Sequence, residues 1–361
     1  MTQAIQKKLN DSAWARWTAL ILGALTMFFG YMFVDVLSPL QNMLESTRGW
    51  SPTIFGLYGG SEFILNVCGF LLVAGIILDK MGVRFTGILS ASLMVLGAGI
   101  KFYGLSNYFY EGGFGYEFLN SFLTDIPASA KLACLGFMIF GCGTEMAGVT
   151  SRAIVKWFTG KELALAMGLE MAIARLGVFA VFSLSPWVAN WGGDPSVARP
   201  VAVVGLLLCI GLLTYIAFSV MDFKLDRQTE ADTPIGETEE PFKVADLKNL
   251  FSSKTFLIVS ALCVLYYSAI FPFQRFATGM LESNLGITNQ QASDIFRWFP
   301  MGAMILTPLL GWFLDHKGKG ATMLMIGAIL MFICHMTFAL VPLTPAIAFS
   351  AIILLGLSFS L

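Results

Sequence analysis

The chain has 361 residues, of which 57% are hydrophobic, 14% aromatic and only 12% charged, with a mean hydropathy of +0.75. Soluble domains carry about 25% charged residues, so the composition excludes a soluble globular protein and specifies an integral membrane protein. The net charge of −1 gathers into no basic patch, which excludes a nucleic-acid-binding role.

A membrane-crossing helix needs about 20 largely apolar residues. That criterion predicts ten, near 17–40, 50–78, 85–104, 131–152, 163–189, 199–221, 255–280, 292–314, 320–341 and 345–361. The polar lead-in MTQAIQKKLNDSAWARW has no apolar core followed by a small-residue cleavage site, so it approaches the first span rather than forming a cleaved signal. The tenth segment is still apolar at Leu361, from which a truncation within that helix is expected. One set of loops carries Lys7, Lys8, Arg16, Lys80, Arg84, Lys156 and Lys161 among other basic residues; the other has Arg48, Lys101, Lys131 and Arg199. This asymmetry predicts a cytoplasmic N-terminus. The aromatic, acidic stretch from Leu105 to Ala130 is expected to be partly ordered at the outer interface, and its lack of an N-x-S/T acceptor favours a bacterial inner membrane. The six cysteines (Cys68, Cys134, Cys142, Cys209, Cys263 and Cys334) lie in apolar segments without metal-ligand spacing and read as small core residues.

Residues 222–254 form the longest polar run, acidic in its middle, with Pro234 and Pro241 and a short amphipathic piece around Val244–Phe251. It reads as a linker between a six-helix bundle at 1–221 and an incomplete second bundle at 255–361. After the second span comes GIILDKMGVRFTG, with Gly75, Asp79, Lys80, Gly82 and Arg84. After the second span past the linker comes GWFLDHKGKGATM, with Gly311, Asp315, His316, Gly318 and Lys319. Two copies of G-x-x-x-D-basic-x-G at corresponding places imply an internal duplication.

These motifs resemble the major facilitator superfamily, whose loop between helices 2 and 3 carries the same signature; Val83 and His316 depart from it. The resemblance implies an all-α polytopic fold of two six-helix halves, with this sequence ending in the tenth of twelve helices. It also implies gating roles for Asp79, Lys80, Arg84, Asp315 and Lys319, beside the plainer reading that Asp79 and Lys80 cap helix ends.

Charges inside apolar segments are costly and mark cavities or pairs. The fourth span places Gly141, Glu145, Gly148 and Arg152 on one face, and the fifth does the same with Ala164, Gly168, Ala172 and Arg175. Two readings stand for Glu145 and Arg175: a ligand site for a solute carrying both signs, or a structural ion pair. Glu170 falls off the stripe and is expected to pair with Arg152 or Lys161, or to sit at a helix interface. The first span gives Tyr31 and Asp35, the second Glu62, and the seventh Tyr266, Tyr267, Phe271 and Arg275. Asp35 and Glu62 are candidates for proton coupling, gating or pairing, and Arg275 for gating or ligand contact. Asp294 and Arg297, spaced i, i+3, are expected to pair, and His335 to be a hydrogen-bonded core histidine.

The strings KWFTGKELALAMGLEMAIARLG (156–177) and YYSAIFPF (266–273) resemble one branch of the superfamily, that of the animal lysosomal dipeptide uniporter and its bacterial relatives. The branch implies that Glu145 and Arg175 contact the two charged ends of a peptide, with Tyr31, Tyr266, Tyr267 and Phe271 as side-chain contacts. A carboxylate for an ammonium and a guanidinium for a carboxylate is the pairing that a zwitterion requires. The expected activity is secondary active or facilitative transport by alternating access. Its partners are a small-molecule solute, the lipid bilayer and a candidate coupling proton, with no cofactor, no metal and no enzymatic chemistry. The alternative is a proton-coupled organic-anion carrier. A multidrug antiporter fits less well because only Gly168 and Gly177 match that signature. A receptor or scaffold is disfavoured by the gate motifs.

Overall fold

The computed structural model describes residues 8–230, 251–317 and 319–360, and among them every regular element is a helix. Seven helical stretches are long and apolar enough to cross a membrane, from Ala13–Arg48 to Gly320–Leu340. One of them, Pro52–Leu105, runs for 54 residues and holds two of the predicted spans. The protein is a multi-pass membrane protein.

Helix α1 (Ala13–Val34) stops short of the predicted end. Pro39 sits in a 3-10 turn, Ser38–Leu40, before the short α2 (Gln41–Arg48). Helix α3 (Pro52–Leu65) begins on Ser51, whose hydroxyl accepts from the Ile54 N–H. It passes through a π turn, Asn66–Phe70, into α4 (Leu71–Leu105). Within α4 the chain reverses at Gly82, the glycine of the first repeated motif, where φ is 75° and ψ 175°. That backbone region is essentially closed to residues with a Cβ, which is why the motif ends in glycine. Two short helices, α5 (Asn107–Tyr110) and α6 (Tyr116–Asn120), give the aromatic outer connection its expected partial order.

Next come α7 (Ala128–Met146) and α8 (Val149–Phe158), then α9 (Leu163–Ala189) and α10 (Ala198–Glu230). The second group comprises α11 (Lys254–Leu285), α12 (Asn289–Phe296), α13 (Trp298–Lys317), α14 (Gly320–Leu340) and α15 (Pro345–Ser360). Helix α10 continues through the first residues that the sequence analysis assigns to the linker. Residues 231–250 of that linker, with most of the amphipathic piece, lie outside the described residues.

Helix α7 is the central strut of the first group, packed on α3 and on the later half of α4. Small residues bring the backbones together. A Cβ on Gly97 would lie 2.4 Å from the Gly136 carbonyl oxygen, and one on Gly143 would lie 2.6 Å from that of Ser90. Helices α1, α9 and α10 complete this group, while α13, α14 and α15 pack together in the second.

The end of the bundle that bears the basic loops is held by ion pairs within the first group. Asp79 and Arg152 meet at 2.9 Å, and Arg84 and Asp226 at 3.1 Å. Asp222, only 1% exposed, accepts from Lys156 Nζ at 2.8 Å and from Trp157 Nε1 at 3.0 Å. Glu170 is fully buried and accepts from the Ser151 hydroxyl at 3.0 Å. Of its expected partners, Arg152 reaches Asp79 and Lys161 reaches Asp11 at 2.6 Å.

Candidate functional site

Helices α1, α3, α7, α9 and α11 enclose a cavity of about 410 Å³, within the range of small-molecule sites, about 300–1,000 Å³. Glu145 and Arg175 both line it, with Tyr31 and Phe271. The helical stripe on α7 divides the labour among its members. Gly141 faces α3, where a Cβ would lie 2.0 Å from the Glu62 carbonyl oxygen, and Glu145, one turn on, is exposed to the cavity. Gly168 on α9 meets nothing within 4 Å and contributes open space; the side chain of Ala164 lies outside the described residues. Among the described residues, neither Glu145 nor Arg175 makes an ion pair. Arg175 instead stacks its guanidinium over the Phe359 ring of α15, 4.4 Å from the centroid.

Tyr266 and Tyr267 are not among the lining side chains. The Tyr266 hydroxyl donates to the Ser358 carbonyl at 3.3 Å, and Tyr267 stacks on Phe271 at 5.1 Å.

The end of the cavity away from the basic loops is closed by polar contacts between the two groups. Arg275 on α11 donates to Glu62 on α3 at 2.8 Å and to the Val34 carbonyl at 2.6 Å. Gln274 donates to Asp35 at 2.6 Å, and Asp35 also accepts from Ser38 at 2.8 Å. Thr278 donates to the Ser38 carbonyl at 3.0 Å, and Asn289 donates to that of Pro39. Asp35, Glu62, Gln274 and Arg275 are all buried. Further out, Asp294 pairs with Arg297 at 3.0 Å as expected, and Arg297 also reaches Ser183 of α9 at 3.1 Å. Phe182 and Phe296 stack edge-on between the groups at 4.7 Å. At the other end, α11 is exposed over most of Lys254–Leu265. The cavity is therefore closed at the end away from the basic loops.

Of the predicted gating residues, Asp79 and Arg84 are engaged in the ion pairs given above, and Lys80 and Lys319 are exposed. The side chain of Asp315 lies outside the described residues. His335 departs from expectation: its Nε2 is buried without a hydrogen-bond partner among the described residues, and the ring packs edge-on against Phe273 at 5.2 Å.

The sequence analysis misses Gln274, Phe359 and, most of all, Lys101, which it counts with the loops. Lys101 is fully buried. The signal was present in the spacing Gly97, Lys101, Gly104, a stripe that turns toward α7.

The sequence profile of the Major Facilitator Superfamily matches residues 20–361. The chain belongs to this superfamily of membrane transporters. The lysosomal dipeptide transporter MFSD1 of Danio rerio is 33% identical over 234 residues, 63% of this chain and 50% of that protein. MFSD1 of Pongo abelii is 26% identical over 359 residues, 96% of this chain and 70% of its own length. The stretches matched in the Danio rerio and Bos taurus proteins span about half the length of those relatives. Among solved structures, a partially occluded inward-open conformation of the xylose transporter XylE from E. coli is similar with a TM-score of 0.65. The identity is 13%, over 96% of this chain and 84% of that one. A bacterial homologue of the human drug peptide transporters PepT1 and PepT2 is similar with a TM-score of 0.54 at 13% identity, over 95% and 81%.

Proposed function

We propose that the chain is the solute-binding and gating part of an alternating-access transporter for dipeptides or similar zwitterions. The observation that carries this reading is that Glu145 and Arg175 line one cavity with no ion pair between them. A carboxylate and a guanidinium that face one membrane cavity without pairing can each take the opposite charge of a ligand, an ammonium on one and a carboxylate on the other. Arg175 suits its task because its guanidinium stays charged and grips a carboxylate bidentately. The lysosomal dipeptide transporters named among the relatives support the same substrate class.

Two groups of helices, 1–221 and 255–361, would rock about this site. The charge asymmetry of the loops supports a cytoplasmic N-terminus, which puts the closed end of the cavity on the outer side. The membrane we read for it is a bacterial inner membrane; the MFSD1 relatives are named for the lysosome, and the basic loops face the cytoplasm in either setting. Asp35 and Glu62 would act at the outer closure. A proton on Glu62 would remove the charge that holds Arg275, which keeps Glu62 the candidate for coupling. Asp79, Lys80 and Arg84, with Asp315 and Lys319 in the second copy, would act at the inner gate.

The test is a thermal-shift screen of the purified protein against dipeptides, free amino acids, and mono- and dicarboxylates. Dipeptides should stabilise the wild type and lose that effect with both Glu145→Gln and Arg175→Ala. Stabilisation by carboxylates alone, lost only in Arg175→Ala, would replace this reading with an organic-anion carrier.

A further inference from the structure

Lys101 on α4 is buried without exposure, and its Nζ has no hydrogen-bond partner among the described residues. It lies in a cage of three aromatic rings: Phe33 of α1 at 4.3 Å, Phe137 of α7 at 4.5 Å and Tyr58 of α3 at 5.0 Å from the centroids. Such a cage can hold an ammonium through the ring faces without hydrogen bonds. The Tyr58 hydroxyl beside it is also buried and unpartnered. The Arg275 guanidinium sits 5.2 Å from the same Phe137 centroid.

The charges around this point are Asp35 and Glu62, both carboxylates of the first group; Lys101, a cation of the first group; and Arg275, a cation of the second. With the groups together, Arg275 takes Glu62 at 2.8 Å and lies 3.8 Å from Asp35. When the groups part, Arg275 leaves with α11 and two buried carboxylates remain on the first group. A buried charge stripped of its partner is strongly unfavourable. Lys101 stays behind with them, and Tyr58 stands one helical turn from Glu62 on α3. A lysine's flexible four-carbon stem lets its ammonium change partners by side-chain rotation without moving the helix.

We propose that Lys101 is the stand-in counter-ion for Glu62, held in the aromatic cage while Arg275 occupies the carboxylate and taking its place when the outer closure opens. Lys101 is thus a positioning residue that makes the outward-open state accessible. The proposal rests on the rocking of two groups of helices but not on the identity of the solute, so its test uses none.

Hydrogen–deuterium exchange of the purified protein in nanodiscs reads opening of the outer closure at Gln41–Arg48 and Gln274–Leu285. The variants are Lys101→Met, Glu62→Gln and the two combined. Lys101→Met should slow exchange at both segments by about tenfold or more, because opening then strands Glu62. Adding Glu62→Gln removes the stranded charge and should restore wild-type exchange or exceed it. Equal exchange in Lys101→Met and wild type, or a double variant as slow as Lys101→Met, would overturn the counter-ion role alone. A wild type whose outer segments exchange only by global unfolding would overturn it together with the rocking motion. If Lys101→Met does not fold, the combined variant decides: recovered folding supports charge balance, and continued failure contradicts it.

Discussion

Arg275 Nη2 lies 2.8 Å from Glu62 Oε2, and the two residues belong to different groups of helices. Their side chains are 11% and 5% exposed, so the pair sits where the dielectric is low and the interaction is not screened as a surface bridge would be. Removing one partner of a buried pair costs about 3–5 kcal/mol because the other is left uncompensated, whereas replacing both is far milder. Arg275→Met should therefore lower the thermal midpoint more than the double variant Glu62→Gln with Arg275→Met. Equal or additive losses in a double-mutant cycle would show that the pair is not coupled.

Asp222 has the same physics at the other end of the bundle. It is buried and takes two donors, Lys156 and Trp157. Asp222→Ala leaves the indole N–H unsatisfied and strips Lys156 of one of its two carboxylates, Asp226 being the other. We expect a loss of about 2–4 kcal/mol in unfolding titrations. Trp157→Phe removes one hydrogen bond, worth about 1 kcal/mol, and also leaves a cavity where the fused ring of a buried indole was. A loss in Asp222→Ala below about 1 kcal/mol would contradict the central place given to Asp222.

Two glycines on neighbouring helices predict opposite outcomes. At Gly141 a Cβ would come within 2.0 Å of the Glu62 backbone oxygen, and backbone cannot yield as a flexible side chain can. Gly141→Ala should destabilise by about 1–3 kcal/mol or more. At Gly168 there is open space, and Gly168→Ala in a helix interior should raise stability by about 0.5–1 kcal/mol. Thermal unfolding of the two variants side by side checks both.

The Asp79–Arg152 pair is different again, because both side chains are 47% exposed. Asp79→Asn should change stability by no more than about 1 kcal/mol. Any large effect of this variant should appear in solute uptake by proteoliposomes and not in the unfolding midpoint. A large loss of stability with uptake per folded molecule unchanged would assign Asp79 a structural role.

Much of this architecture was legible in the sequence because apolar length and repeated motifs are read one residue at a time. Gly82 is an example: its place in G-x-x-x-D-basic-x-G announces the reversal that its positive φ then executes. Glu145 and Arg175 were legible for the same reason, as charges that hydrocarbon does not tolerate without use. Contacts between distant helices were not. Gln274 carries no charge to flag it, yet it ties α11 to Asp35. Lys101 lies close enough to the end of its span to pass for a loop residue, and only the packing of α1, α3, α4 and α7 shows that rings enclose it. The break of the first span at Val34 was hidden because Pro39 lies past the helix it ends and the intervening residues are apolar.

The most direct test of the zwitterion clamp is equilibrium binding of a dipeptide and of its N-acetylated and C-amidated forms to the wild type, Glu145→Gln and Arg175→Ala. Losing one partner of a desolvated charge pair typically costs about 2–5 kcal/mol, more than tenfold in Kd. The clamp predicts that N-acetylation weakens binding to the wild type by at least that factor and has little further effect on Glu145→Gln. C-amidation should behave in the same way toward Arg175→Ala. Penalties for blocking each end that persist unchanged in both variants would contradict it, and would place the charged ends of the solute on other residues.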